Sequence, residues 1–137
     1  MSEESTTPHL VELMRHAVEA LRRRDVDALM SFVAPDAAWE LRSGTFEGTE
    51  AIRGFLEGWL GSYEDYRLEA EEILDLGHGV VFLAYRESGR LLGSKGRVEQ
   101  QVGYAVTWVS GRIEWMSAYF DPDEARAAAE RLAESRE

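Results

Sequence analysis

The chain has 137 residues, 45% of them apolar, with no cysteine and 15 basic against 26 acidic side chains, a formal net charge of -11. That length and apolar fraction suit one core, so a single domain over residues 1–137 is expected, and the lack of cysteine excludes disulfides, thiolate metal sites and a cysteine nucleophile. The negative charge repels phosphate backbones and anionic lipid surfaces, which removes nucleic acid and membrane from the partner classes. No stretch approaches a membrane span, and the polar, acidic residues 1–8 lack the basic-then-apolar order of a signal peptide, so a cytoplasmic protein is expected.

Leu10, Leu13, Met14, Ala17, Val18 and Leu21 recur at helical spacing, and Thr7-Pro8 supplies a cap and a first-turn proline for this first helix. Asp25 is placed to cap a short second helix carrying Val26, Leu29, Met30 and Val33, which Pro35 and Asp36 end. A short strand over residues 37–41 follows. Thr49 then caps a third helix with Ile52, Phe55, Leu56, Trp59 and Leu60 on one side, weakened by Gly54 and Gly58.

Residues 66–76 and 80–87 read as strands joined at Gly77-His78-Gly79. Beyond a glycine-rich connection at residues 89–96, a long hairpin runs over residues 96–109, turns at Ser110-Gly111 and returns over residues 112–120. Asp121 caps a last helix with Pro122 at its first position and Glu124 three residues after the cap. The thin stripe of Ala125, Ala128, Ala129 and Leu132 places that helix on the surface or lets it fray. This order predicts an α+β domain with helices on one face of an antiparallel sheet.

Four segments in this order carry a family resemblance. They are Asp25-Val26-Asp27-Ala28-Leu29 leading to Ala34-Pro35-Asp36-Ala37-Ala38-Trp39, then Gly48-Thr49-Glu50-Ala51-Ile52-Arg53, Gly111-Arg112-Ile113, and Tyr119-Phe120-Asp121. The set resembles the SnoaL-like branch of the nuclear transport factor 2-like superfamily over residues 8–133. The resemblance implies a cone: a strongly curved antiparallel sheet wrapped around N-terminal helices, an internal pocket, a C-terminal helix, and homodimers packed sheet against sheet. That fold hosts ketosteroid isomerases, polyketide cyclases, dehydratases, epoxide hydrolases and members without chemistry, so it leaves function open.

If Tyr104 points into the cone, as the family pattern implies, strand alternation puts Gln100, Val102, Val106 and Trp108 on its face, and Glu99, Gln101, Ala105 and Thr107 on the other. The same alternation selects Met116, Ala118 and Phe120, then Val81, Leu83 and Tyr85, then Trp39 and Leu41, with Phe55 and Trp59 added from the third helix. On the outer face Trp115 and Tyr119 are two large aromatics, which favours a homodimer through that face.

In ketosteroid-isomerase-like members the basic aspartate aligns with Leu41, the helix-one tyrosine with Ala17 and the second acid with Tyr104, so the resemblance carries over one hydroxyl and no base. Tyr104 is either a hydrogen-bond donor to a ligand carbonyl or a core tyrosine satisfied by a neighbour. Glu40 faces away from the pocket by alternation and would need a bulge to act as a base. Arg42 is an anion ligand at the mouth or a solvated loop residue, and Gln100 orients a ligand or pairs with another buried polar atom. His9, His16 and His78 have no metal-ligand spacing, and neither a metal nor a cofactor is expected. The connection at residues 89–96 lacks the order of a phosphate loop leading into a helix and reads as a hairpin link beside the cone mouth.

Three readings remain open. One is a protein that binds a small apolar or ring-containing molecule. Another is a cofactor-independent isomerase, polyketide cyclase or dehydratase using Glu40, Asp36 or a bound water as base. The third is a dimeric scaffold whose cone is plugged by Trp39, Phe55, Trp59 and Trp108.

Overall fold

The computed structural model describes residues 2–137, with side chains from His9 onward. Along the chain run α1 (Ser2–Arg22), α2 (Val26–Met30), β1 (Val33–Leu41), β2 (Gly44–Glu47), α3 (Thr49–Gly61), β3 (Arg67–Gly77), β4 (Val80–Arg90), β5 (Arg97–Val109), β6 (Arg112–Tyr119) and α4 (Pro122–Ser135). The strands form one sheet in the order β2-β1-β6-β5-β4-β3. Neighbours are antiparallel except β1 and β6, which run parallel across the junction between the first hairpin and the last strand.

Register shifts at Ala70/Glu72 and Asp75/Gly77 in β3, at Thr107/Trp108 in β5 and at Val33/Ala38 in β1 break the ladder at four places. Extra residues of this kind bend a strand and raise its twist, which is how the sheet curves. Helices α1, α2 and α3 fill the inside of the curve. Met14, Ala17 and Ala20 of α1, Leu29 of α2, and Ile52, Leu56 and Leu60 of α3 share one buried cluster with Trp39, Leu83, Tyr85, Val106 and Ile113 of the sheet. The register sets Leu83 opposite Tyr104, Tyr85 opposite Val102 and Tyr104 opposite Ala118, so inward alternation is kept across three strands.

The last helix departs from expectation. Rather than fraying on the surface, α4 packs on the convex face, where Ala125, Ala129 and Ala133 are buried with Val80, Phe82, Ala84 and Ala105. A stripe of alanines looks thin as an apolar face but lets the helix axis come close to a sheet. Gly103 permits the closest approach: a Cβ there would lie 2.6 Å from Ala125 Cβ and 2.9 Å from Pro122 Cα. Helices therefore cover both faces of the sheet, and Trp115 and Tyr119 pack against the rim of this second cluster.

Smaller differences have local causes. The helix α1 spans Ser2–Arg22, so the expected Thr7-Pro8 start falls within it, and the side chains of both lie outside the described residues. Asp25 caps α2 as expected, accepting from the Ala28 amide at 3.0 Å. That helix ends at Met30, and Val33 opens β1 instead, with Pro35 lying where the β1/β6 ladder is interrupted and no amide is required. The residue before α3 is Gly48, with φ 88°, a conformation that suits glycine and displaces Thr49 from the cap. The hairpin partner β2 was not expected. It pairs Trp39 with Phe46 and Leu41 with Gly44. Asp121 caps α4 as read from the sequence, accepting from the Asp123 amide. Among the described residues, no helix is long and apolar enough to cross a membrane.

Candidate functional site

A cavity of about 230 Å³ opens between the three N-terminal helices and the concave sheet. Trp39, Leu41, Phe55, Trp59, Leu83, Tyr85, Gln100, Val102, Tyr104, Met116, Ala118 and Phe120 all line it. Three residues selected for that face do not, Val81 among them, which is fully buried in the packed core. Val106 and Trp108 are buried on the same face but belong to the packed core. They sit toward the β5–β6 turn, where Val106 lies opposite Val81 and Met116, and Trp108 opposite Ile113, and side chains fill the narrow end of the cone. The cavity is open, so Trp39, Phe55 and Trp59 serve as walls instead of a plug.

The helices add Met14, Ala17, Val18, Leu21, Leu29 and Leu56, positions the sequence reading assigned to core packing. An aromatic series fixes one wall. Phe46 meets Phe55 at 4.8 Å between ring centroids, Phe55 stacks on Trp59 at 6.2 Å, and Trp59 meets Tyr66 edge-on at 5.1 Å. Such contacts hold large rings in defined orientations.

The polar part of the wall comes from β4 and β5. The Tyr85 and Tyr104 hydroxyls are 2.7 Å apart. One donates to the other, which leaves one O–H of the pair free to donate elsewhere. Tyr85 is buried whereas Tyr104 is half-buried, so Tyr104 is the member with room for a ligand. Burial pushes both phenols above their ordinary range; Tyr104, Tyr66 and Glu87 add to the rise at Tyr85, while at Tyr104 the bond to Tyr85 opposes it and Glu87 adds to it. They act as neutral hydroxyls at any ordinary pH.

Glu87 was missed by the sequence reading. It is 5% exposed. Its Oε1 accepts from the Tyr66 hydroxyl at 2.7 Å and its Oε2 from Gln100 Nε2 at 2.5 Å. Gln100 lies directly opposite Glu87 in the β4/β5 ladder, which explains the pairing. The signal was available: Val81, Leu83 and Tyr85 point inward, and one further step of two reaches Glu87. What the alternation could not reveal is Tyr66, which precedes β3 and reaches Glu87 only through tertiary packing.

The other candidates lie elsewhere. Glu40 is exposed, in an unbroken ladder opposite Thr45 and Ser117, and its side chain cannot enter the cavity without the bulge that β1 lacks at that point. Asp36 is exposed as well. Arg42 reaches the mouth, where its guanidinium lies 3.7 Å above the centroid of the Phe120 ring. Among the described residues, no three His, Asp or Glu side chains come together as a metal site.

A bent six-stranded sheet closed by three helices around an apolar cavity is the cone architecture of nuclear transport factor 2-like proteins. The chain belongs to the SnoaL-like domain family, whose model matches residues 14–116. No curated protein matches it. Among solved structures, a polyketide cyclase so named provisionally, from Xanthomonas campestris pv. campestris, is 24% identical with a TM-score of 0.72, covering 90% of this chain and 98% of its own. TerC, co-crystallised with polyporic acid, is 20% identical with a TM-score of 0.71, covering 90% and 97%. A nuclear transport factor 2-like protein of unknown function from Burkholderia pseudomallei is 18% identical with a TM-score of 0.72, covering 82% and 91%. At these identities the likeness establishes the fold.

Proposed function

We propose that this chain binds a small, largely apolar ring compound in the cone, with Tyr104 donating a hydrogen bond to an oxygen of the ligand. The observation that carries this reading is the open cavity of about 230 Å³, apolar on most of its wall, with the Tyr85–Tyr104 hydroxyl pair at one point. Pockets for drug-sized ligands start at about 300 Å³, so a compound of one or two rings suits this one. A similarly folded protein, TerC, was co-crystallised with polyporic acid, which supports an organic ligand without identifying it.

The test compares 1-tetralone with tetralin, the same bicycle without the carbonyl, by quenching of Trp39 and Trp59, which line the cavity. Tyr104→Phe is expected to weaken tetralone binding about 3- to 10-fold, the value of one neutral hydrogen bond, and to leave tetralin unchanged. Equal affinity of tetralone for both proteins would refute the role of Tyr104. Failure of both compounds to bind would refute the cavity reading.

A second reading is favoured by Glu87. An enzyme working by proton transfer needs a base at the cavity, and Glu87 is a carboxylate in its wall where Glu40 and Asp36 are not. Deuterium exchange at the carbon next to the tetralone carbonyl, followed by NMR, tests it. Catalysed exchange that Glu87→Gln abolishes supports an isomerase- or cyclase-type activity, and exchange at the buffer rate removes it.

A further inference from the structure

Glu87 and Arg42 are the two ionisable side chains other than tyrosine among those lining the cavity. Arg42 is exposed and occupied with Phe120 at the mouth. Glu87 is buried, and both of its described partners, Tyr66 and Gln100, are neutral donors. Among the described residues no ion pair includes it, although ten other pairs form at the surface. Both oxygens accept hydrogen bonds. A buried charge left without a counter-charge is expensive, and two neutral hydrogen bonds offset only part of that cost.

Around this carboxylate the wall is aromatic. Trp59, Tyr85 and Tyr104 line the same cavity, and Tyr66, which holds Glu87, packs edge-on against Trp59. Ring faces attract cations and do so more strongly out of water. The net charge of -11 draws cations toward the molecule as a whole. An apolar pocket that ends in aromatic rings and one uncompensated carboxylate has the features that recognise an organic ammonium group on a hydrophobic body.

We infer that the ligand class of this cavity is a protonated amine carried on a ring compound, with the ammonium placed against Glu87. This rests on the binding reading above and adds the charge of the ligand to it. The ammonium donates to the lone pairs of Glu87 that Tyr66 and Gln100 leave free, and the ring body occupies the apolar wall formed by Phe55, Leu83 and Met116.

The experiment measures binding of 2-aminotetralin, protonated at neutral pH, against uncharged 2-methyltetralin and uncharged but polar 2-tetralol, by tryptophan quenching in low and moderate salt. The amine is expected to bind at least about tenfold tighter than either neutral compound, in line with the coupling seen for close, desolvated charge pairs. Glu87→Gln is expected to remove that preference.

If 2-methyltetralin binds and the amine binds no better, the charge assignment fails while the cavity reading stands. A tetralol affinity equal to that of the amine overturns the assignment in the wild-type protein alone, without relying on folding of the variant. Amine preference that survives Glu87→Gln, or that vanishes in moderate salt, places the effect on the charged surface and overturns it too. If none of the three compounds binds, the binding reading itself falls.

Discussion

Replacing Gly103 by alanine tests the docking of α4 on the outer sheet. The added methyl would sit 2.6 Å from Ala125 Cβ and 2.9 Å from Pro122 Cα, against ordinary contacts of 3.4–4 Å. One of the two obstacles is backbone, so the start of α4 must retreat by most of an ångström and loosen the contacts of Ala125 and Ala129, both fully buried. Overpacking of this kind costs about 1–3 kcal/mol. Lower entropy of the unfolded chain returns about 0.4–1 kcal/mol when glycine becomes alanine. The middle of the two ranges gives a net loss of about 1.3 kcal/mol, read as a lower urea midpoint at unchanged slope. Gly58→Ala is the internal control: nothing lies within 4 Å of its Cβ and its site is helical, so a gain of about 0.5–1 kcal/mol is expected. Gly103→Ala and Ala125→Gly together should be less damaging than their sum, because the second removes one of the clashing atoms. A Gly103→Ala protein as stable as wild type would refute the packing argument and return α4 to the loosely attached helix expected from its sequence.

The buried phenols give a pH dependence. Tyr66, Tyr85 and Tyr104 keep their protons in the folded chain above the ordinary value of about 10, chiefly through burial, whereas the unfolded chain loses them near it. The linked stabilisation is complete below about pH 10 and is lost as pH rises past it, so denaturant midpoints should fall in that range. Ultraviolet titration of tyrosinate showing all five tyrosines ionising together near the free value would contradict this. Tyr66→Phe removes a donor to a buried carboxylate and should cost about 1.5–3 kcal/mol by urea unfolding; a change below about 0.5 kcal/mol would mean that Glu87 finds another partner. We also propose that two chains pair through the part of the outer face that α4 leaves uncovered. The helix packs chiefly on β4 and β5, while Ala38 and Glu40 of β1 lie beside Trp115 and Ser117 toward the other side. Light scattering at micromolar concentration should then give twice the 15.5 kDa of one chain, and a monomer would rule the pairing out.

Local chemistry determined much of this molecule. Asp25 and Asp121 cap helices because a short carboxylate can reach free amides two or three residues on, and that rule needs no distant partner. Alternation along β4, β5 and β6 named most of what those strands contribute to the cavity wall because a pleated strand presents every second residue to the same side. It failed at Val81, Val106 and Trp108 because a shared face says nothing about depth: those three meet other side chains at the narrow end, while Tyr104 on the same strand as the last two meets open space. The role of α4 was hidden in its composition, since three alanines are a poor apolar stripe in water and a good one only against a sheet with a glycine beneath them. Glu87 shows the limit most clearly. A glutamate in a strand normally marks its solvent face, and only the convergence of Tyr66 and Gln100, brought from two places in the chain, buries it in the cavity wall beside the Tyr85–Tyr104 pair. Burial is a property of what surrounds a side chain, so the sequence named the residues facing inward while the tertiary structure decided which of them carry chemistry.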